Sequence, residues 1–183
     1  MIITINSFSQ IKPLKPNTLV VLDIDETLLT FKNVDTTWWN EKYQELFPIY
    51  KENTYQHIEV LWTDYVFKNK PMILDERNLC VFFESIKNNN CELILLTARD
   101  ISTSEITMKH LSDCGLIIDA HRVFFNRNKG YELRNIVMNI FPHVNNIVFV
   151  DDLTENLVNV EITFNTLELL RYNLELYKIK HIL

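Results

Sequence analysis

The stretch LVVLDIDETLL, residues 19–29, limits the possible folds more than any other part of the chain. It opens with consecutive apolar residues and no alternation, the pattern of a strand covered on both faces, as in a parallel sheet wrapped by helices. It then runs into Asp23, Asp25 and Glu26. Ionised carboxylates cost several kcal/mol to bury unpaired, so these acids must reach water or meet a cation.

Further apolar runs follow at 92–97 (ELILLT), 121–125 (HRVFF) and 146–152 (NIVFVDD). Helical patterns alternate with them near 76–89, 102–114, 130–141 and 154–162. The alternation predicts an α/β fold, a Rossmann-like parallel sheet flanked by helices. Ser102 and Glu105 fit a capping box, with Gly115 as the stop of that helix. The chain has only two glycines, so the asparagines at 88–90 are expected to make turns in their place. In the C-terminal tail, Leu167, Leu170 and Leu174 fit a helix while Leu167, Leu169 and Arg171 alternate. A short edge strand is expected near 167–172.

Residues 31–74 are too long for one crossover helix and carry aromatic residues broadly at helical spacing, interrupted by Pro48. They predict a small helical cap of two or three helices inserted after the first core strand, the core being 1–30 and 75–183. Leaving the C-terminal end of a strand, the insertion would cover the crevice where open parallel sheets bind ligands. Trp38 and Trp39 are adjacent, so on a helix they point ~100° apart, and only one can face that crevice while the other packs.

Composition narrows the function. The chain has 183 residues, 47% of them hydrophobic and 23% charged, as in an ordinary globular domain. Net charge is -6, and the 18 Lys and Arg form no dense run, which argues against an extended nucleic-acid surface. Cys80, Cys91 and Cys114 are odd in number and lack CxxC spacing, so reduced, mostly buried thiols are expected rather than disulfides or zinc. The five histidines are dispersed, and neither GxxxxGK[ST] nor GxGxxG occurs. No apolar run approaches the ~20 residues of a membrane span, and the start lacks a signal core. A cytoplasmic chain is expected, although an atypically exported protein would read the same.

In extended geometry Asp23 and Asp25 project to one side and Ile24 to the other. Asp151 and Asp152 end a later strand, and in a parallel sheet all strand C-termini share an edge. Four carboxylates converging there repel one another unless a cation neutralises them, and all-oxygen ligation suits Mg2+. Taken singly, Asp25, Glu26 or Asp152 would serve equally well at a helix start, and Asp152 with Glu155 fits D-x-x-E. The joint pattern favours a metal. Lys129 opens a helix, where the macrodipole disfavours a cation, so contact with an anion would explain it. A solvated lysine is the alternative, and Arg127 and Arg122 compete for the role. Arg99 either binds substrate or pairs with Asp100 or another surface acid.

VVLDIDETLL resembles the first motif of the haloacid dehalogenase-like (HAD) phosphohydrolases, DxDxT after an apolar strand. LILLTAR resembles their second motif, the Lys129-Gly130 pair the third and IVFVDD the fourth, in the family's order. The LTAR, KG-x-x-L and DD-x-x-x-N details further resemble a little-characterised domain-of-unknown-function branch of intracellular bacteria and large DNA viruses. The resemblance implies a Mg2+-dependent phosphomonoesterase working through an aspartyl-phosphate. Asp23 would be the nucleophile and Asp25 the general acid and base. Asp23, the Asp25 carbonyl and Asp151 would hold the metal, with Asp152 direct or through water. Thr97, the Ala98 amide and Lys129 would bind the phosphoryl group. Asp25 distinguishes the chain from dehalogenases, which lack an acid there, and from ion-pumping ATPases, which carry Thr. The implied partner is a phosphorylated substrate, small molecule or phosphoprotein. A catalytically silent phosphate-sensing or partner-binding protein is the alternative.

Overall fold

A computed structural model describes residues 1–34, 36–166 and 168–181. In chain order the elements are β1 (Ile2–Ile5), β2 (Thr18–Leu22), β3 (Leu29–Thr30), α1 (Thr36–Tyr50), α2 (Thr54–Lys68), β4 (Met72–Ile73), α3 (Glu76–Asn88), β5 (Glu92–Thr97), α4 (Ser104–Asp113), β6 (Val123–Phe125), α5 (Lys129–Asn139), β7 (Asn146–Asp151), α6 (Thr154–Phe164) and β8 (Asn173–Ile179).

Six strands form one sheet in the order β1-β8-β7-β2-β5-β6, every neighbouring pair parallel. This is the α/β, Rossmann-like architecture expected from the alternating runs. The absence of alternation in β2 follows from its two-sided burial. Val20 and Leu22 pack with Leu79, Phe82 and Ile86 of α3 and Leu111 of α4. Leu19 and Val21 pack on the other face with Leu133, Ile136 and Val137 of α5 and Leu157 and Val160 of α6. Burying such a side chain fully contributes about 1.5–3 kcal/mol, so β2 has one stable register.

Several local expectations are corrected. The C-terminal strand is Asn173–Ile179, not 167–172; residues 168–171 form a turn, and Leu167 lies outside the described residues. That strand is also internal, because β1, not expected from the sequence, pairs outside it. The capping box is replaced: Asp100 accepts the Ser102 N–H at 2.9 Å and starts a 3-10 turn that leads into α4. Gly115, at φ 76°, does end that helix, with the Leu116 N–H bonding the Leu111 carbonyl at 2.8 Å. Pro48 lies inside the last turn of α1 instead of interrupting it. Of the three free cysteines, Cys80 on α3 is exposed and the others half-buried, contrary to the burial expected.

Helices α1 and α2 lie between β3 and β4, which pair antiparallel, Leu29 opposite Ile73 and Thr30 opposite Met72. This clasp returns the chain to its departure point. Phe31, Val34 and Val66 form a small buried cluster there, joined by Trp38, Trp62 and Tyr65. Among the described residues, no helix is long and apolar enough to cross a membrane.

Gly130 sets how closely α5 meets α6. A Cβ there would lie 2.3 Å from Thr163 Oγ1 and 2.6 Å from the Asn159 carbonyl oxygen, while the Gly130 N–H donates to Asn159 Oδ1 at 2.6 Å. Gly130→Ala is therefore expected to destabilise the fold by about 1–3 kcal/mol through overpacking. Urea unfolding of the variant would measure it; wild-type stability would mean that the helices separate freely.

Candidate active site

Strands β2 and β7 are neighbours in register, Leu22 opposite Val150, and the Asp23 N–H continues the ladder by bonding the Val150 carbonyl at 3.0 Å. Asp23 and Asp151 are thereby delivered side by side at the C-terminal edge of the sheet. With Asp152 they offer three carboxylate oxygens within 4.8 Å of one another. Beyond Asp23 the chain leaves the sheet: Ile24 turns into the core, and Glu26 takes a left-handed conformation at φ 54°. Asp23 and Asp25 both line a cavity of about 600 Å³, beside Lys129, Asp152, Ala98 and Arg99.

Lys129, the first residue of α5, has no exposed surface, and its Nζ lies 2.6 Å from Asp23 Oδ1 and 2.7 Å from Asp151 Oδ2. Asn128 caps that helix by accepting the Tyr131 N–H at 3.1 Å. The Asp151 Oδ1 also accepts the Leu153 N–H at 2.9 Å and an Asn156 Nδ2 hydrogen at 3.0 Å. The residue before α6 is Leu153, so Asp152 is not its cap.

The electrostatics show how crowded the acids are. Burial raises the Asp23 carboxyl to about 7, with Asp151 and Asp25 adding and Lys129 opposing. Burial, then Asp23 and Asp151, raises Asp152 to about 8. For Lys129, burial alone would lower the ammonium, but Asp23 and Asp151 outweigh it and hold it above its usual value. The donor set, all carboxylate oxygen with excess negative charge, is one a hard divalent cation fits.

The other sequence candidates have mixed positions. Thr97 is buried at the end of β5, its hydroxyl accepting the Arg99 N–H at 3.2 Å. Arg99 does not pair with Asp100; its guanidinium is on Asp25, Nε to Oδ2 at 2.8 Å and Nη2 to Oδ1 at 2.6 Å. Trp39 lines the cavity, while Trp38 packs with the Phe31 cluster. Arg127 reaches Glu59 of α2 at 2.7 and 3.0 Å, and Arg122 pairs with Glu92 at 2.5 Å, so Lys129 is the cation placed between Asp23 and Asp151. Trp62 on the cavity wall was not singled out as a site residue by the sequence reading. The contact of Thr27 Oγ1 with Asp23 Oδ2, at 3.4 Å, was not anticipated either. Ile58, Trp62 and Tyr65 follow helical spacing, which was the one available signal for Trp62.

A parallel sheet flanked by helices on both faces also occurs in solved structures similar to this one. The class C acid phosphatase from Bacillus anthracis superposes with a TM-score of 0.50 at 15% identity, over 91% of this chain and 68% of that chain. The same enzyme with tungstate bound superposes with a TM-score of 0.50 at 16% identity, over 91% of this chain and 68% of that one. At such identity the likeness is one of fold. The chain itself belongs to the family described as Protein of unknown function (DUF2608), whose model matches residues 4–124. No curated protein matches it in sequence.

The raised carboxyls set a sign for pH dependence. A group whose folded value lies above its unfolded one contributes stability that is complete below the unfolded value, near 3.8, and lost as pH rises through 7 and 8. Metal-free protein is thus expected to lose on the order of 1–3 kcal/mol between about pH 6.5 and about pH 9, and Asp152→Asn should flatten that loss. Urea unfolding in EDTA at both pH values checks it; a flat wild-type profile would contradict the crowding.

Proposed function

We propose that the chain is a HAD-like, Mg2+-dependent phosphomonoesterase acting through an aspartyl-phosphate. One observation carries this reading: the Asp23 carboxylate, at the end of the central strand, faces the cavity with Lys129 at 2.6 Å and Asp25 on the same wall. Asp23, Asp151 and Asp152, with the Asp25 carbonyl, would hold the metal, which when bound supplies charge neutralisation at the phosphoryl oxygens.

The remaining work falls to the chain. Asp23 attacks phosphorus as the bond to the leaving oxygen breaks, and the Asp25 carboxylic acid gives that oxygen its proton. Asp25, now a carboxylate, takes a proton from the water that attacks the aspartyl-phosphate, releasing phosphate and restoring Asp23. Lys129 offsets negative charge throughout transfer, and Thr97 and the Ala98 amide are assigned to the phosphoryl oxygens. Residues 31–74 are the cap over a core of 1–30 and 75–183, and the substrate enters between them.

Hydrolysis of p-nitrophenyl phosphate is expected with Mg2+ and not in excess EDTA, and Asp23→Asn should abolish it, by more than about 10³-fold, while remaining folded. Full turnover without metal, or an active Asp23→Asn, would contradict the reading; no turnover at all would favour a silent phosphate-binding module.

The tryptophans divide by position. Trp39→Ala should lower kcat/KM for aryl phosphates relative to alkyl phosphates, by the roughly 0.5–1.5 kcal/mol of an aromatic contact. Trp38→Ala should instead cost up to about 3 kcal/mol of stability. An unchanged aryl-to-alkyl ratio in Trp39→Ala would make the insertion packing alone.

A further inference from the structure

Arg99 is a guanidinium whose side chain has no exposed surface, and each of its three nitrogens donates a hydrogen bond. Nε and Nη2 hold the two oxygens of Asp25 at 2.8 and 2.6 Å, and Nη1 donates to Thr107 Oγ1 on α4 at 3.0 Å. The guanidinium carbon also lies over two aromatic rings, 5.9 Å from the Phe31 ring centroid and 5.5 Å from that of Trp62. Burial alone would lower its pKa, yet Asp25 holds it above the ordinary value.

A buried ion pair is seldom the most stable filling for its space, so a two-toothed clamp on one cavity carboxylate calls for a positional reason. The backbone supplies one. Asp25 lies beyond the end of β2 in an isolated bridge with Leu29, and the left-handed Glu26 follows at once, so a single bridge stands where β2 has a ladder to fix the direction of its side chains. The planar fork of Arg99 does, because bidentate contact sets both the distance and the plane of a carboxylate. The fork is aimed in turn by Thr107 from the core and by Phe31 and Trp62 from the clasp and α2.

We propose that Arg99 is the positioning residue for Asp25, and that the insertion sets the aim of this acid through Phe31 and Trp62. The inference rests on the phosphomonoesterase reading, in which Asp25 serves the leaving oxygen: the fork grips the carboxylate, and the proton Asp25 donates is taken up on an oxygen lone pair that the fork leaves free. A misdirected Asp25 harms substrates in proportion to how much their leaving group needs a proton: little for p-nitrophenolate, much for an alkoxide.

The test compares p-nitrophenyl phosphate with glycerol 2-phosphate in full-length wild type, Arg99→Lys, Thr107→Val and Asp25→Asn, with Mg2+. Arg99→Lys should cut kcat for the alkyl ester by about 10²-fold or more, and for the aryl ester by less than about 10-fold, with KM little changed. Lysine should fail to rescue, having no planar fork. Thr107→Val, which removes one hydrogen bond and keeps the pair, should show the same selectivity more weakly and serves if Arg99→Lys does not fold. Adding Arg99→Lys to Asp25→Asn should cost little more. Equal losses on both esters, or a rise in KM alone, would overturn the positioning role while leaving the phosphatase reading intact. A wild type inactive on both esters would overturn that reading, and this inference with it.

Discussion

Lys129 places one buried ammonium between Asp23 and Asp151, at 2.6 and 2.7 Å, and the site is built around that bridge. Removing one partner of such a buried pair typically costs 3–5 kcal/mol, because the other charge is left uncompensated. Three elements must therefore meet within a few tenths of an ångström. The parallel β2–β7 pair delivers the two acids in register, and α5 delivers the lysine. Gly130, the next residue, allows α5 to lie against Asn159 and Thr163 of α6. Burial first, and then the repulsion among three carboxylates that one ammonium does not balance, push Asp23 and Asp152 well above the usual carboxylate range. A cluster left in that state is poised to take further positive charge, whether from protons or a divalent ion.

The second cation, Arg99, works at the other side of the cavity. It joins Asp25 to Phe31 and Trp62, so the insertion is tied to the acid by stacking on a guanidinium as well as by the β3–β4 clasp. Phe31 also meets the buried His110 edge-on at 5.4 Å, and that imidazole is held neutral, lowered to about 4 by burial and by Arg99. The insertion is otherwise thinly packed, with Phe47, Tyr55 and Phe67 exposed. Its order near the site thus depends on a few aromatic contacts to the core.

What the sequence disclosed followed from burial and periodicity. Strands β2, β5 and β7 were legible because two-sided burial leaves a continuous apolar run, ending at the acids in β2 and β7 and at Thr97 in β5. Strand β1 was not, being four residues long with only Ile5 buried. Strand β8 carries Leu174 and Leu176 toward one layer and Tyr177 and Ile179 toward the other, and the leucines just before it fit a helix equally well. The acids and Lys129 were legible as residue types at strand ends and a helix start. The Arg99–Asp25 clamp was not, since its members are 74 residues apart and nothing in either segment specifies the partner. Ser102 looked like a cap by spacing alone, but Asp100 reaches its N–H first and takes the role.

In the proposed reaction Asp23 is the group that takes the phosphoryl. The most direct measurement is to quench the protein with acid during incubation with a 32P-labelled aryl phosphate and Mg2+, digest it at low pH and map the label. The account predicts transient label on the peptide containing Asp23, absent from Asp23→Asn and discharged by neutral hydroxylamine, as an acyl phosphate is. Label on a peptide that lacks Asp23, or turnover with no label retained under conditions that preserve acyl phosphates, would contradict it.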